Sequence, residues 1–575
     1  MTLPPSTSVA LEANHADLPV LRLGLLVDNL VQPAWAAACL EEVLRRGDAQ
    51  VALIVRNGRP PAGAPSGSRL AAWWRNRRQL GHALYSRLDA LCSVARDPFA
   101  PRDISDLVRD VPVMDVVPRE RRFSDYIEPD DVGRIRAHNL DVAVRFGFRI
   151  LRGDVLRIAR HGVWSYHHGD NRRYRGGPAG FWEVMSGDPV TGAVLQQLSE
   201  DLDAGQILFR AWSHSIPFSV RRNRAHYYWQ SAPFLAWKLR DLRRYGPSGL
   251  PAEGEGRDTL AAYSQRIFTI PTNGEMIRPG AALAARYVRR RLRSAVTGEQ
   301  WYLAYRLSPA TATDTGLPDL VPCRFRSLIP PTDRFWADPF PYRADGTTWV
   351  FFEESINAAP PAHIAVMEFG PEGPIGPPRI ALSTGSHLSY PFVFEYGGQH
   401  YMMPETAGLG LVQLWRAAQL PSEWVPDRVL IDDRPLVDAT MALVNGRWWI
   451  WAAATASGGV SWDELHLYHS DSPLGPWLAH PRNPVVVDVR SARPAGRLFR
   501  FGGEWYRPAQ DCSESYGGAM VIQRIERLDL QGYLERTVTR IDPTWDRGLV
   551  GTHTINSAGH LTVMDVRRRH LRWVP

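Results

Sequence analysis

Hydrophobic and polar residues alternate along the first 210 positions in blocks typical of an α/β protein. Two continuous apolar runs of strand length, at 21–28 and 49–57, flank a segment with helical periodicity at 33–47. The same patterns predict two more strands, at 140–148 and 161–168, with a helix between them at 151–160. Strands that are apolar on both faces indicate a parallel sheet covered by helices on each side. Residues 1–210 are therefore predicted to form an open, doubly wound α/β domain.

A helical and basic segment follows at 211–319. Residues 222–246 and 281–296 have the periodicity of amphipathic helices and are rich in arginine, with a loop between them. A basic helix beside a domain junction is typically a solvated face or a docking surface, and recruitment of a phosphate-bearing partner is the alternative. We predict a basic helical connector over this range.

The second half of the chain, 320–575, has short aromatic strands and glycine-rich turns. Five times, at intervals of roughly 50 residues, a tight turn leads into an alternating aromatic strand, which is the pattern of a β-hairpin. The turns begin at Asp345, Gly397, Asn445, Gly502 and Ala558. Because this interval matches the size of one four-stranded blade, the segment is predicted to be a five-bladed β-propeller.

A second repeat lies about seven residues ahead of each turn. Polar or proline-containing elements occupy these positions: ADPF at 337, YPFV at 390, DATM at 438, RPAG at 493 and THTI at 552. Residues at the start of the innermost strand of a blade face the central channel. The five elements are therefore expected to surround one pocket.

Composition changes this picture little. The chain of 575 residues is 44% hydrophobic and 22% charged, as globular proteins are. Its net charge of +7 is scattered, so nucleic-acid binding is not expected. Four distant cysteines form no CxxC pair and fit a reducing compartment. With no signal-peptide pattern and no apolar run near the ~20 residues of a membrane helix, the protein is expected to be cytoplasmic, without a membrane partner.

The stretch WSYHHGDNRRYRGGP, 164–178, carries candidate chemistry. Its two adjacent histidines fall at the predicted carboxyl end of a strand, where ligands of open α/β sheets bind. The pair could provide metal ligands, a general base or a surface turn. Neighbouring residues of a strand point to opposite faces, so both imidazoles do not easily reach one ion. We expect no metal here.

The motifs in and after this stretch resemble those of the 10-formyltetrahydrofolate-dependent formyltransferase family. Four segments match the family's order and spacing, and the resemblance covers about residues 20–215: HGVWSYHHGD (161–170), YRGG (174–177), GDPVTG (187–192) and LDAGQIL (202–208). The resemblance implies transfer of a formyl group from 10-formyltetrahydrofolate to an amine. Such a reaction needs a neutral amine, a route for its proton and stabilisation of a tetrahedral oxyanion.

The resemblance also implies roles for individual residues. His167 falls on the family's histidine, as base and oxyanion partner, and Asp203 falls on the aspartate that orients the imidazole or a water. Ser165 stands where the family has an asparagine that donates to the oxyanion, and loss of such a donor typically costs about 10²–10³ in rate. His168 and Asn171 are alternative donors. The residues expected to contact the formyl donor are Gly147, Phe148, Asp170, Tyr174 and Arg175.

The second half is similar to glycosidase-type five-bladed propellers and to the N-terminal domain of plant glucosamine inositolphosphorylceramide transferases. The similarity rests on WADPF, YPFVFE, MPET and DATM. It implies a carbohydrate site in the channel, formed by Asp338, Glu405, Asp438, Arg493 and His553, with His387 as a further candidate. Hydrolysis would need two carboxylates about 5–9.5 Å apart. Structural alternatives stay open, since Asp338 could cap a turn and Glu405 could pair with Arg500.

Together these patterns favour an N-formyltransferase acting on a small-molecule amine, an amino sugar or sugar nucleotide, while the propeller binds carbohydrate. Two rival functions remain. One is a formyl hydrolase on the same fold, and the other is a catalytically inactive carbohydrate-binding or glycosidase-like propeller protein. The sequence leaves homo-oligomerisation and the identity of the amine open.

Overall fold

The computed structural model describes residues 18–60, 77–121, 123–200, 205–251, 267–308, 321, 324–359, 361–454 and 462–572. The chain divides into two compact units. The first contains residues 1–211 and 216–281, and the second contains residues 212–215 and 282–575. This boundary differs from the expected one, because the segment predicted as a separate connector at 211–319 is divided between the two units.

The first unit is built on a seven-stranded sheet. The strands from the beginning of the chain to residue 268 are β1 (Leu21–Val27), β2 (Val31–Pro33), β3 (Ala49–Asn57), β4 (Pro101–Asp103), β5 (Val113–Val116), β6 (Arg119–Arg121), β7 (Ser124–Tyr126), β8 (Val142–Arg145), β9 (Ile150–Leu151), β10 (Val163–His167), β11 (Arg175–Gly176), β12 (Val190–Gln197), β13 (Gln206–His214) and β14 (Ile267–Phe268). The sheet has the order β13-β12-β10-β8-β1-β3-β5. Strands β10, β8, β1, β3 and β5 are parallel, and β12 pairs antiparallel with β10. The predicted α/β sheet is therefore present, with an antiparallel addition at one edge.

Burial explains why the apolar runs predicted these strands correctly. Leu25 and Leu26 are consecutive residues of β1 and are both fully buried. Because consecutive strand residues point to opposite faces, both faces of the sheet are covered.

The helices of the described chain are α1 (Ala34–Arg46), α2 (Leu80–Cys92), α3 (Pro129–Arg136), α4 (Phe181–Ser186), α5 (Val220–Ser231), α6 (Phe234–Tyr245) and α7 (Asn273–Val296). The helix predicted at 151–160 is wrong, since only a short 3-10 turn forms there, at Asp154–Arg157. Leu151 still belongs to β9 and Gly153 has a left-handed φ of 82°, so the backbone is not helical where the predicted helix would begin. No helix among the described residues is long and apolar enough to cross a bilayer.

Helices α5 and α6 correct the prediction of a solvated basic face at 222–246. They are separate helices, interrupted at Pro233, and both belong to the first unit. Tyr227 of α5 and Leu235 of α6 are fully buried. The arginine content of this segment had suggested exposure, but its aromatic and leucine residues form part of the core of the first unit.

The second unit consists of successive antiparallel sheets. Its strands are β15 (Thr297–Leu307), β16 (Arg326–Leu328), β17 (Arg334–Ala344), β18 (Thr347–Ile356), β19 (His363–Gly370), β20 (Gly373–Leu382), β21 (Ser389–Tyr396), β22 (Gln399–Glu405), β23 (Val412–Gln419), β24 (Glu423–Ile431), β25 (Leu436–Val444), β26 (Arg447–Ala454), β27 (Glu464–Ser470), β28 (Leu478–Ala479), β29 (Val486–Val487), β30 (Phe499–Phe501), β31 (Glu504–Asp511), β32 (Ala519–Asp529), β33 (Gly532–Ile541), β34 (Leu549–Gly551), β35 (Ile555–Ala558) and β36 (Leu561–Leu571). Four sheets follow chain order: β17–β20, β21–β24, β25–β29 and β30–β33. The fifth joins β15 and β16 to β34–β36, so the beginning and end of the unit share a sheet. This arrangement agrees with the predicted repeat of four-stranded blades.

The predicted hairpin turns lie where the repeat placed them. Asp345-Gly346 and Asn445-Gly446 have positive φ at both residues, between 50° and 79°. Positive φ at both central residues defines the tight turn that matches the twist of a hairpin, and Asp-Gly and Asn-Gly are favoured there. The pairs at 397–398 and 502–503 have the same signs.

The second repeat also has a structural basis. The first strands of three sheets are irregular at equivalent places, between Ala337 and Phe340, Ser389 and Phe392, and Val437 and Thr440. Each irregularity contains a non-glycine residue with positive φ, namely Asp338, Tyr390 or Asp438. A bulge of this kind re-aims a side chain, and strained backbone of this kind tends to occur at functional sites.

Candidate functional site

Strand β10 places two residues of the predicted catalytic motif at the carboxyl edge of the first unit's sheet. Ser165 lies opposite Arg145 of β8, and His167 is the last residue of β10. Alternate strand residues share a face, so Ser165 and His167 lie on one face and Tyr166 on the other. Tyr166 points into the core, where its hydroxyl donates to the carbonyl of Ala232 at 3.2 Å. The strand therefore directs Ser165 and His167 towards the same space.

Arg145 accompanies Ser165 at the position where the family's asparagine was expected. Its guanidinium donates to Ser165 Oγ from Nε at 3.1 Å and from Nη2 at 3.0 Å. Ser165 is 1% exposed, and Arg145 Nη1 also donates to the carbonyl of Arg149 at 2.8 Å. A fixed cation thus stands beside the serine, and a guanidinium can stabilise developing negative charge more strongly than a neutral amide.

His168 is half-buried and packs among aromatic side chains. Its ring stacks on Tyr228 with centroids 3.6 Å apart and packs edge-on against Trp35 at 4.8 Å. Its Nε2 lies 3.0 Å from Ser231 Oγ. Burial, and after it the charge of His167, lowers the pKa of His168 well below its usual value. The contacts of His168 are therefore structural, and His167 lies on the opposite face of the strand, with Ser165.

Glu183 brings a buried carboxyl group close to His167. A Cβ added to Gly169 would lie 3.4 Å from His167 Nε2 and 3.9 Å from Glu183 Oε1, so both groups border the same loop residue. Glu183 lies on α4 and is 1% exposed, and its Oε1 has no hydrogen-bond partner among the described residues. Burial, with added repulsion from Asp188 and Asp170, raises its pKa to about 7. A carboxyl group with this pKa can gain or lose a proton near neutral pH.

The first two residues expected to contact the formyl donor lie at the same edge of the sheet. Gly147 follows β8, and a Cβ there would approach the backbone nitrogen of Asp28 to 2.3 Å, so only glycine fits. Phe148 has φ of 61°, and its amide donates to Asp28 Oδ1 at 2.9 Å. These contacts join the ends of β1 and β8 and fix the shape of the edge beside β10.

The other expected donor residues lie in the loop after β10. Asp170 Oδ1 accepts from the amide of Arg172 at 2.9 Å, and its carbonyl accepts from the amide of Tyr174 at 2.7 Å. The Tyr174 hydroxyl donates to Asp188 Oδ2 at 3.2 Å, and Arg175 is 5% exposed and pairs with β14. The structure therefore gives these residues contacts that shape the loop. Asp203 lies outside the described residues and stays a prediction.

A cavity of about 470 Å³ adjoins this loop within the first unit. Gly177 and Pro178 line it on the loop side, His82 of α2 and Arg224 of α5 line it on the helical side, and Phe268 adds an aromatic surface. Its size falls in the range of small-molecule sites, about 300–1,000 Å³. The loop that follows β10 therefore has ligand-sized space beside it.

In the second unit, three of the five predicted channel residues form one buried ion cluster. Arg493 Nη2 donates to Asp438 Oδ1 at 3.2 Å, its Nε bonds Asp438 Oδ2, and its Nη2 lies 3.7 Å from Glu405 Oε2. Gln510 Nε2 also donates to Asp438 at 2.9 Å. Glu405 therefore pairs with Arg493, whereas the proposed alternative, Arg500, donates to the carbonyl of Gly503.

The other two predicted channel residues meet around Asp565. His553 Nδ1 lies 2.6 Å from Asp565 Oδ2, and His553 Nε2 lies 3.7 Å from Asp338 Oδ1. The amide of Asp338 donates to Asp565 at 2.9 Å, and Thr554 Oγ1 donates to Asp338 at 2.7 Å. Trp301 stacks on the His553 ring at 4.2 Å. Asp338 is thus held by a buried network, and it does not cap an exposed turn.

The protonation of this cluster is strongly perturbed. Burial, opposed by His553 and reinforced by Asp438, raises the pKa of Asp338 to about 6. Burial and the charges of Asp338 and Glu405 raise the pKa of Glu353 well above its usual value, and burial with the charge of Asp438 does the same for Glu405. Burial lowers the pKa of His553, but Asp565 and Asp338 outweigh it and raise the pKa. Burial therefore shifts the carboxyl groups of Asp338, Glu353 and Glu405 towards their neutral forms.

Glu353 and Asp565 belong to this site and were missed from the sequence. Glu353 lies on β18, and His387 Nε2 approaches its Oε1 at 3.8 Å. Asp565 lies on β36. One atom from each of Asp338, His553 and Asp565 falls within 4.8 Å of the others, which is compact enough for one metal ion, although no metal was expected from the sequence. The sequence signal was available, since a carboxylate within an apolar strand pattern is an anomaly.

Two families match the chain in separate segments. Residues 88–218 match the family described as "Formyl transferase". Residues 317–565 match the family described as "Glucosamine inositolphosphorylceramide transferase 1, N-terminal". The chain therefore carries, in this order, a segment that matches the formyl transferase family and a segment that matches the second family. The fusion predicted from the motifs is therefore confirmed.

Relatives of known name fall into the same two groups. Glucosamine inositolphosphorylceramide transferase 1 of Oryza sativa subsp. japonica is 38% identical over 236 residues, which cover 40% of this chain and 29% of that protein. The Arabidopsis thaliana protein of the same name is 36% identical over 230 residues, 39% of this chain and 28% of that protein. A methionyl-tRNA formyltransferase of Prochlorococcus marinus is 35% identical over 82 residues, 14% of this chain and 24% of that protein. The chain thus spans less than a third of the length of each.

Solved structures resemble each half weakly. Zg3597, a family 117 glycoside hydrolase from Zobellia galactanivorans, is 14% identical with a TM-score of 0.30 and covers 46% of this chain and 90% of that one. A formyltetrahydrofolate deformylase from Pseudomonas syringae pv. tomato is 18% identical with a TM-score of 0.22, covering 35% of this chain and 52% of that one. At these scores neither likeness supports a conclusion about this chain.

Proposed function

We propose that the first unit transfers a formyl group from 10-formyltetrahydrofolate to the amine of an amino sugar or sugar nucleotide. The observation that carries the proposal is the position of His167 at the end of β10, on the same strand face as Ser165 with its partner Arg145, and beside the loop residue Gly169 that Glu183 also borders. These residues lie in a segment that matches the formyl transferase family. The ligand-sized cavity beside the loop at 177–178 provides space for a substrate. The proposed reaction needs no metal.

The residues divide the chemistry of formyl transfer between them. A neutral amine attacks the formyl carbon, its proton must leave, and the carbonyl oxygen gains negative charge. His167 is assigned to the proton and to the oxyanion, and Arg145 supplies positive charge close to Ser165, where the family's amide was expected. Glu183 is assigned to hold or release a proton next to His167, which its pKa of about 7 permits. The tetrahydrofolate nitrogen leaves as the tetrahedral intermediate collapses.

Hydrolysis of the formyl donor is the second candidate reaction of this site. One observation favours it: a buried carboxyl group that lacks a hydrogen-bond partner among the described residues can take a proton from water as well as from an amine. Formate would then be released with tetrahydrofolate, without an acceptor.

For the second unit we propose carbohydrate binding by the buried cluster of Asp338, Glu405, Asp438, Arg493 and His553. Mixed carboxylate, guanidinium and imidazole groups offer both acceptors and donors to sugar hydroxyls. Protonated acids beside ionised ones would also suit glycoside hydrolysis. Turnover of aryl glycosides that disappears in Asp338→Ala would favour hydrolysis, whereas glycan binding without turnover would favour a binding site.

The decisive experiment mixes the full chain with 10-formyltetrahydrofolate and a panel of amino-sugar nucleotides. Tetrahydrofolate release is followed by absorbance and the product by mass spectrometry, with His167→Ala as the inactive control. Amine-dependent release with a product heavier by one formyl group supports transfer. Formate release without an amine supports hydrolysis instead, and absence of both reactions and of folate binding would contradict both proposed reactions.

The reducing cytoplasm is the proposed compartment, in agreement with free Cys39, Cys92 and Cys512.

A further inference from the structure

The second unit contains a strongly basic groove that none of the assigned functions uses. This arginine groove, of about 1070 Å³, lies between the C-terminal part of α7 and the sheet that contains β15 and β36. Eight arginines line it: Arg286, Arg289, Arg290, Arg293, Arg540, Arg567, Arg569 and Arg572. Its carboxylates are Glu299, Asp511, Glu514 and Asp542, so four positive charges are in excess. An excess of this size in a concave site concentrates anions.

Several arginines on the sheet side of the groove are held in ion pairs. Glu299 pairs with Arg569 at 2.9 Å and with Arg567 at 3.5 Å, and Arg540 pairs with Asp542 at 2.7 Å. Asp511 is a second partner of Arg540. On the helix side, Arg289 and Arg293 are exposed and form no ion pair with any described residue. The helix therefore presents unneutralised guanidinium groups across from a sheet that also carries arginines.

A chain of stacked side chains connects the groove to the buried cluster of the same unit. The guanidinium of Arg567 lies 5.1 Å from the ring centroid of Trp301, and Trp301 stacks on His553 at 4.2 Å. His553 contacts both Asp338 and Asp565. A ligand that places an anionic group in the groove would therefore lie next to the site proposed for sugar.

We propose that the arginine groove binds the phosphate or diphosphate group of a phosphorylated carbohydrate. Planar guanidinium groups bind phosphate oxygens through paired, charge-assisted hydrogen bonds. Arginines on two facing walls suit a compact anion that enters the groove, whereas a flat membrane surface would reach only the outer wall. The choice of a sugar phosphate rests on the carbohydrate binding proposed above, but the phosphate site itself can be tested without any sugar.

The test measures binding of inorganic pyrophosphate to the full chain by titration calorimetry at constant ionic strength. The variant Arg289→Gln/Arg293→Gln removes two exposed groove arginines, and Arg291→Gln is the matched control. Arg291 lies on the same helix, does not line the groove, and its Nε contacts the Tyr287 hydroxyl at 3.1 Å. We expect the double variant to weaken binding at least about tenfold, which corresponds to about 1.4 kcal/mol, because it removes two charge-assisted hydrogen-bond donors. The control should change it less than about twofold.

Three results would overturn the proposal. They are absence of pyrophosphate binding to the unmodified chain, equal weakening by the control, and binding to anionic phospholipid vesicles without binding to pyrophosphate. Pyrophosphate binding combined with a failure of neutral sugars and glycans to bind would support the groove and contradict the carbohydrate site. Tighter binding of a sugar diphosphate than of pyrophosphate, lost in Asp438→Asn, would support both.

Discussion

Arg145 donates two hydrogen bonds to the hydroxyl of Ser165, at 3.1 Å and 3.0 Å, from a neighbouring parallel strand. The position where the formyltransferase resemblance predicts an asparagine is therefore occupied by a serine that is hydrogen-bonded to a guanidinium group. Motif comparison alone suggested a lost donor. The register of β8 against β10 sets Arg145 directly opposite Ser165, and this guanidinium is the donor that the proposed reaction would use instead.

The first prediction follows from this pair. Arg145→Gln keeps a hydrogen-bond donor and removes the charge, and we expect kcat for formyl transfer to fall by about 10²-fold, in the range for loss of one oxyanion donor. KM for the formyl donor should change little, since the effect belongs to the transition state. Arg134→Gln, which removes an exposed charge from α3 of the same unit, is the control and should retain kcat. Equal losses in both variants would contradict a role for Arg145.

The second prediction concerns the protonation of Glu183. Its folded-state pKa of about 7 lies above the ordinary value of 4.5, so the folded chain binds the extra proton between these values. Stability from this group is therefore full below about pH 4.5 and is lost as pH rises through 7. Glu183→Gln should remove that loss and raise the free energy of unfolding at pH 8 by on the order of 3 kcal/mol, as measured by urea titration.

The same substitution separates a structural from a chemical role. If Glu183 exchanges a proton during turnover, the pH profile of kcat contains a limb near pH 7, and Glu183→Gln flattens it while lowering kcat. Glu200→Gln, which also removes a carboxylate from the first unit, should leave the profile unchanged. A Glu183→Gln enzyme that is more stable and equally active would show that the group only strains the fold.

The third prediction separates the adjacent histidines. His167→Ala should lower kcat by about 10²–10⁴, as loss of a general base does. His168→Phe keeps the stacking on Tyr228 and loses the contact with Ser231, so it should retain kcat within about threefold and lower the free energy of unfolding by roughly 1 kcal/mol. Steady-state kinetics and denaturant titration on both variants check this. The reverse pattern would move the catalytic role to His168.

The sequence was most informative where one repeat or motif contained the whole signal. The hairpins of the second unit were predictable because Asp-Gly and Asn-Gly pairs fix their own turns, and the recurrence at Asp338, Asp438 and His553 followed from the blade period. Glu183, Arg145 and Asp565 could not be found this way. Their importance depends on which strand or loop packs beside them, and a one-residue change in register would turn Arg145 away from Ser165. The helix wrongly predicted at 151–160 failed for a local reason, since Leu151 belongs to a strand and Gly153 has positive φ.

The last prediction tests the buried ion cluster of the second unit. Arg493 is 7% exposed, donates hydrogen bonds to Asp438 and lies near Glu405. Burial lowers the pKa of Arg493, but the negative charge of Asp438 has the larger effect and raises this pKa well above its usual value. Removing one partner of a buried pair leaves an uncompensated charge and costs about 3–5 kcal/mol. Arg493→Met should therefore destabilise the second unit by that amount in urea titration. Asp438→Asn added to it should recover part of the loss, whereas Arg500→Met, an exposed arginine of the same unit, should change stability by less than about 0.5 kcal/mol. If the double variant were as unstable as the sum of two independent losses, Arg493 and Asp438 would not be energetically coupled.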